Sequence, residues 1–198
     1  MVRTFLVAVV MGALLGCKGE SVEERPNVLM ITLDTFRADA LGVYGNQKGG
    51  TPYLDALAER GTVFENAYTV TPLTIPAHAS LMTGVYPPRH GVQGNGDFVL
   101  QDAAITIAER MLAIGYRTGA SVGAEVTSRH WGFEQGFQEY FDEMNPQGVH
   151  AEDRWKVERP AAAVLGDIQK WIGLDSELPW FAWVHLFDAH HPYVPIEP

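Results

Sequence analysis

The chain has 198 residues, 46% hydrophobic and 19% charged, with 20 Gly and 12 Pro, which is the composition of a folded globular domain and not of a disordered one. Its 14 Lys and Arg against 24 Asp and Glu give a formal charge of −10, and no basic run offsets it, which speaks against nucleic acid as a partner. Cys17 is the single cysteine, so neither an intrachain disulfide nor a cysteine-cluster zinc site can form.

The first element is an address. In Met1–Lys18 (MVRTFLVAVVMGALLGCK) one cation, Arg3, precedes an apolar stretch from Phe5 to Leu15, and small Gly16 stands before Cys17. That is the order of regions in a secretory signal peptide, and the apolar stretch is too short to span a bilayer. Leu14-Leu15-Gly16-Cys17 also resembles the lipobox of bacterial lipoproteins. The resemblance implies that residues 1–16 are a signal peptide and that Cys17 is lipidated. It further implies that the protein is anchored in the cell envelope by its lipid, facing the periplasm or the outer surface. Residues 17–26, charged and apolar-poor, then read as a tether between anchor and fold. The plainer alternative is a short buried helix carrying a core cysteine.

Asn27–Leu33 (NVLMITL) is an apolar, β-branched run that stops at Asp34, the pattern of a parallel strand buried on both faces. Thr51-Pro52 opens a predicted helix over Pro52–Arg60, with Gly61 as its stop. Val63–Ala67 reads as a short strand. Thr74-Ile75-Pro76 starts a second helix, which Gly84 ends. Asp102–Ile114 is amphipathic, with Ile105, Ala108, Met111 and Leu112 at helical spacing, and Gly115 closes it. Tyr116–Val122 is the next strand, Pro160–Ile172 a helix, and Phe181–Leu186 another buried strand. Strands alternating with helices predict an α/β fold: a mostly parallel central sheet flanked by helices. Glu125–Arg159 is less regular and reads as an excursion over the sheet edge.

Several residues carry chemistry. Asp34 ends the first strand, and ligands of open α/β sheets bind outside the carboxyl ends of strands. A carboxylate there is placed to hold a metal; taken alone, it is more often a turn or cap residue. Thr74 stands at a helix start, where backbone N–H groups and the dipole favour an anion. Its hydroxyl, near a divalent metal, can attack phosphorus or sulfur; the simpler role is helix punctuation before Pro76. His78 follows one turn later and can face the same place. His190, after the last strand, is placed to carry a proton or face an oxyanion. Asn95, between two glycines, can donate its amide to a non-bridging oxygen, although turn formation also accounts for it.

Taken together the segments are more specific than any one of them. PNVLMITLDTFRADALGVYG, TPYLDALAERGTVFENAY, TPLTIPAHASLMTGVYPPRHGV, GYRTGA and FAWVHLFDAHHPY, in this order, resemble the sulfatase family of the alkaline phosphatase superfamily, from about Asn27 to Pro198. The resemblance implies an alkaline-phosphatase-like α/β sandwich and metal-assisted hydrolysis of sulfate or phosphate esters, on small molecules or glycans. It makes Asp34 a ligand of a divalent metal (Zn, Ca, Mg or Mn), Thr74 the nucleophile and a metal neighbour, and His190 the substrate-side histidine. His78 and Asn95 fall beside the substrate.

The chain departs from the family pattern at three places. Sulfatases carry Cys or Ser in C/S-x-P-x-R, oxidised to formylglycine; here the segment is Thr74-Ile75-Pro76-Ala77-His78, so no formylglycine is expected. T-x-P-x-H with Asn95 standing 21 positions after Thr74 instead resembles nucleotide pyrophosphatase/phosphodiesterases, in which threonine attacks phosphorus. Thr35 replaces the second of the paired aspartates found in many sulfatases. No Lys or His follows Val122 until His130. The family's other metal ligands come later in the chain than Pro198. The sequence thus reads as a signal peptide (1–16), a tether (17–26) and the N-terminal part of a catalytic domain (27–198), inactive alone. The alternative is a sulfatase-fold surface lipoprotein without chemistry, acting as a binding module and indifferent to metal.

Overall fold

The computed structural model describes residues 25–48, 50–144, 157–191 and 193. The expected signal peptide, Cys17 and most of the tether lie outside the described residues. Four strands form one parallel sheet in the order β1–β4–β2–β3: β1 (Val28–Leu33), β2 (Arg117–Val122), β3 (Glu139–Phe141) and β4 (Trp180–Leu186). Because all four run the same way, their carboxyl ends share one edge. Leu33 pairs with Leu186, and Val122 with His185, at that edge.

Alternation along β4 (WFAWVHL) sends its side chains to two different helical layers. Ala182 and Val184 pack under helix α5 (Ala161–Ile172), against Val164, Ile168 and Trp171, which recur at helical spacing on its buried face. Trp183 and Phe181 point the other way. Trp183 shares a core cluster with Ile75, Ala79 and Met82 of helix α2 (Thr74–Thr83), and Phe181 shares one with Ala108 of helix α4 (Ile107–Ala113). The result is the expected three-layer α/β arrangement. At Gly119 of β2 only hydrogen fits, because a Cβ there would stand 2.7 Å from the Trp171 ring.

The element-by-element expectations hold with four corrections. Val63–Ala67 forms no strand; it has no pairing partner among the described residues, and Phe64 lies largely in solvent. The helix read from Asp102 begins only at Ile107. Thr106 caps it, accepting from Glu109 N–H (3.1 Å) while the Glu109 carboxylate accepts from Thr106 N–H (2.7 Å). β1 is buried on one face, not two: Met30 packs inward, but Leu29 and Ile31 on the opposite face are 48% and 52% exposed, because α5 covers β2 and β4 instead. Helices α1 (Pro52–Ala58) and α3 (Pro87–His90) complete the set, with α1 ending two residues short of the expected boundary. The irregular segment after β2 does cross the sheet edge, and its residues 139–141 join the sheet as β3.

Arg159 fastens this edge from inside. Its buried guanidinium donates to Val122 O (3.1 Å) and Phe141 O (2.8 Å), at the ends of β2 and β3, and pairs with Asp167 of α5. Its backbone N–H bonds Gly123 O (2.8 Å), and Gly123 N–H bonds His185 O (2.9 Å).

Candidate active site

The carboxyl edge gathers the site. Asp34 is the first residue beyond β1, and its backbone N–H donates to Leu186 O (2.9 Å), so its position is fixed by the neighbouring strand. Thr35 follows with φ +50°, in the left-handed region that β-branched residues avoid, and its hydroxyl donates to Ala189 O (3.1 Å). A strained turn locked to the loop after β4 is the kind of backbone that functional sites retain. The Asp34 side chain is buried, and its Oδ2 has no hydrogen-bond partner among the described residues.

Facing Asp34 Oδ2 at 3.7 Å is Nε2 of His185, one residue before the end of β4. His185 is fully buried and held from behind. Trp183 Nε1–H donates to the Thr32 hydroxyl (3.1 Å), and Thr32 Oγ1 lies 2.8 Å from His185 Nδ1. This follows from register: Thr32 and His185 are paired across β1 and β4, and Trp183 stands two residues back on the same face.

His78 enters from α2. Its Nδ1 lies 2.8 Å from Thr74 O, one turn back. A carbonyl only accepts, so Nδ1 carries the proton and Nε2 of the neutral ring is a bare lone pair. That Nε2 is buried and unpartnered. The ring stands edge-on to His185, with centroids 4.7 Å apart, and is walled by Trp183 and Phe133. Burial lowers the His78 pKa, opposed by the Thr74 carbonyl and the Asp34 charge; burial, then His78, pushes His185 well below the usual histidine range. Both imidazoles are therefore neutral near pH 7.

Thr74 is the first residue of α2, whose N-cap, Leu73, offers no side-chain cap. The cap comes from elsewhere: Asn95 Oδ1 accepts from Ile75 N–H (3.0 Å). Since that bond needs an acceptor, the Asn95 amide orientation is settled, and its NH₂ is left to donate. Pro76 has no N–H to satisfy, and among the described residues no hydrogen bond holds the Thr74 hydroxyl. With Ile75 N–H taken and Pro76 lacking one, an anion at the start of α2 would meet the Thr74 hydroxyl, the Asn95 amide and the positive end of the helix dipole.

His190 sits on the loop after β4, with its N–H on Phe187 O (2.8 Å) and its ring stacked on Phe187 at 4.2 Å. Its Nδ1 lies 2.7 Å from His191 O, so here too Nε2 is the free nitrogen when the ring is neutral. Phe187 in turn packs against His185 at 6.1 Å, so His185 and His190 are separated by one aromatic ring. Glu158, bridged to Ala124, is pushed up by burial and by Asp188, with His190 opposing.

Of the residues singled out from sequence, Asp34 and His78 meet in one buried cluster, Thr74 and Asn95 meet at the start of α2, and His190 lies beyond Phe187. His185, Thr32 and Trp183 were not singled out. The available signal was parity: His185 shares the inward face of β4 with Phe181 and Trp183, so a histidine is buried one residue from the edge where ligands bind. Asp34 offers a divalent cation one buried carboxylate oxygen that has no partner among the described residues, and a cation there would offset the cost that burial imposes on an uncompensated charge. Among the described residues no three His, Cys, Asp or Glu side chains are arranged to hold a metal.

Parallel strands with a carboxylate and a helix start at their carboxyl edge define an α/β protein of the kind that binds its ligand at that edge. The comparisons agree. The Sulfatase family profile matches residues 26–197, and the chain belongs to that family. It is similar to an arylsulfatase of Clostridium perfringens, 43% identical over 94 residues, which are 48% of this chain and 20% of that protein. An N-acetylgalactosamine-6-O-sulfatase of Bacteroides thetaiotaomicron is 35% identical over 100 residues, again 48% of this chain and 20% of the relative. Among solved structures, a phosphonate monoester hydrolase of Agrobacterium radiobacter superposes with a TM-score of 0.71 at 25% identity, covering 88% of this chain and 43% of its own. The matched part therefore spans about a fifth of these sulfatases and less than half of the hydrolase structure.

Proposed function

We propose that the intact protein is a metal-dependent hydrolase of sulfate or phosphate esters, with Thr74 as nucleophile and a preference for phosphoester or phosphonate substrates over sulfates. The observation that carries this reading is the buried, unpartnered Asp34 carboxylate oxygen, close enough for its charge to act on His78, which is bonded to Thr74 O one turn back on α2. Threonine cannot be oxidised to formylglycine, so the preference follows from the nucleophile, and likeness to a phosphonate monoester hydrolase supports it. The bound cation would supply Lewis-acid activation and charge neutralisation at the reacting centre. The Thr74 oxygen, giving up its proton, attacks phosphorus as the bond to the leaving oxygen breaks; that oxygen takes up a proton and departs as the alcohol, and water then hydrolyses the phosphothreonine ester and restores the Thr74 hydroxyl. The Asn95 amide donates to the non-bridging oxygen as charge accumulates there, and His190 Nε2 exchanges the proton of the leaving group or of water.

The test is turnover of aryl phosphate, phosphonate and sulfate esters by the intact protein, with and without chelator. Thr74→Ala should lose about three orders of magnitude or more in kcat. Full activity in that variant refutes the nucleophile, and indifference to chelator favours a binding module instead. Residues 1–16 as a signal peptide and Cys17 as a lipidated anchor belong to the same proposal. Cys17→Ser should leave the detergent phase and remain unprocessed; normal processing and partitioning would overturn the anchor.

A further inference from the structure

We propose that His185 is a positioning residue for Asp34: the hydrogen-bond chain Trp183–Thr32–His185 fixes an Nε2–H that faces the Asp34 carboxylate and orients it toward a divalent cation. The inference rests on the metal-dependent reading above and names a residue acting on that site from behind.

An indole N–H only donates, so the Thr32 oxygen accepts from Trp183 Nε1 (3.1 Å). The hydroxyl then has one proton to give, and the partner at 2.8 Å is His185 Nδ1. Asp34 Oδ2, which only accepts, faces Nε2, and this selects the tautomer that carries its proton on Nε2 and accepts the Thr32 proton at Nδ1. Among the described residues Nε2 has no hydrogen-bond partner, and neither has Asp34 Oδ2, which faces it at 3.7 Å. Rotation of the Asp34 carboxylate closes that gap into a hydrogen bond of ordinary length. His78 cannot take this part, because its one proton is committed to the Thr74 carbonyl. The donor from behind Asp34 must therefore come from His185. A protonated Nε2 also disqualifies His185 as a ligand in its own right, in keeping with the absence of a three-ligand group among the described residues.

Carboxylates that hold metals are themselves held, and loss of such a partner weakens metal affinity by about 10–100-fold. In the intact protein, titrated with Zn²⁺ or Mn²⁺ alone against a chromophoric chelator, His185→Leu should show that loss. His185→Gln, whose side-chain amide can donate, should recover most of it. Thr32→Val, a milder change at a half-buried position, should fall between, and it keeps the test open if the leucine variant fails to fold. Long-range ¹H–¹⁵N spectra of the metal-free protein should place the His185 proton on Nε2. A proton on Nδ1, wild-type affinity in His185→Leu, or equal losses in the Leu and Gln variants would each overturn the proposal, the last by making His185 a ligand. If the wild type binds no divalent cation, the metal-dependent reading fails, and the spectra alone then decide whether the hydrogen-bond chain exists.

Discussion

Asn95 caps α2 and is proposed to serve the oxyanion, and a pair of substitutions divides the two roles. Its Oδ1 caps α2 through Ile75 N–H at 3.0 Å, while its NH₂ is the donor assigned to the substrate oxyanion. Asn95→Ala removes both. Loss of an N-cap costs about 0.5–2 kcal/mol, and because Asn95 is exposed, a value near about 1 kcal/mol is expected. Loss of an oxyanion donor costs about 10²–10³ in kcat. Asn95→Asp keeps an acceptor for Ile75 N–H and places a negative charge at a helix N-terminus, where it is favourable by about 0.3–1 kcal/mol. Stability in this variant should match or exceed the wild type. Activity should fall at least as far as in the alanine variant, since the carboxylate donates nothing and repels an anionic ester. Urea unfolding and kcat on an aryl phosphate, measured on the same preparations of intact protein, read the two effects. An aspartate variant as active as wild type would remove Asn95 from the chemistry, and one as unstable as the alanine variant would remove it from the cap.

Two further outcomes follow from burial. His78, His185 and His90 are each held below the ordinary histidine pKa of 6.5 by burial, so the unfolded chain binds protons that the folded chain does not. Their contribution to stability is complete above pH 6.5 and is lost as pH falls below it, by up to about 1.4 kcal/mol per pH unit for each histidine until the folded state protonates. Urea midpoints of the metal-free protein at pH 7.5, 6.5 and 5.5 should therefore decline, and His185→Gln should flatten the decline by one histidine's share; a flat wild-type profile would contradict the neutral imidazoles. Gly119→Ala should destabilise by about 1–3 kcal/mol, because the added Cβ meets a Trp171 ring held in place by Arg117, which stacks over it at 4.8 Å and donates to its carbonyl at 2.9 Å. Gly119 is three residues from the carboxyl end of β2, so activity per folded molecule should be unchanged; lost activity in a fully folded variant would show that this helix–sheet contact reaches the site.

Much of the fold was legible because long elements carry their own signals. The apolar runs of β1, β2 and β4 and the punctuation of α2, Thr74 at its start and left-handed Gly84 at φ +72° at its end, are local properties of the chain. β3 was not legible, since three residues, Glu139–Phe141, are too short for any period, and only pairing with β2 makes them a strand. Val63–Ala67 erred in the other direction: strand-forming residues remain loop where no partner strand pairs with them. The capping box that starts α4 late was readable as Thr106-Ile107-Ala108-Glu109, but the apolar periodicity upstream outweighed it.

The site divides along the same line. Asp34 and Thr74 were found because each ends or begins an element, and element ends are visible in sequence. His185 lies inside an element, where the run FAWVHL reads as uniformly buried strand. Its significance arises only when β4 is inserted between β1 and β2, which brings Thr32 to its Nδ1 and Asp34 opposite its Nε2. No local pattern contains that insertion, because β4 follows β1 by some 150 residues yet lies beside it. A buried polar residue in an apolar strand is nonetheless costly unless something answers it, at about 1–3 kcal/mol per unmet group. That cost is the one trace such a residue leaves in sequence: a histidine at the inward parity of a core strand, one step from the carboxyl edge, implies a partner across the sheet.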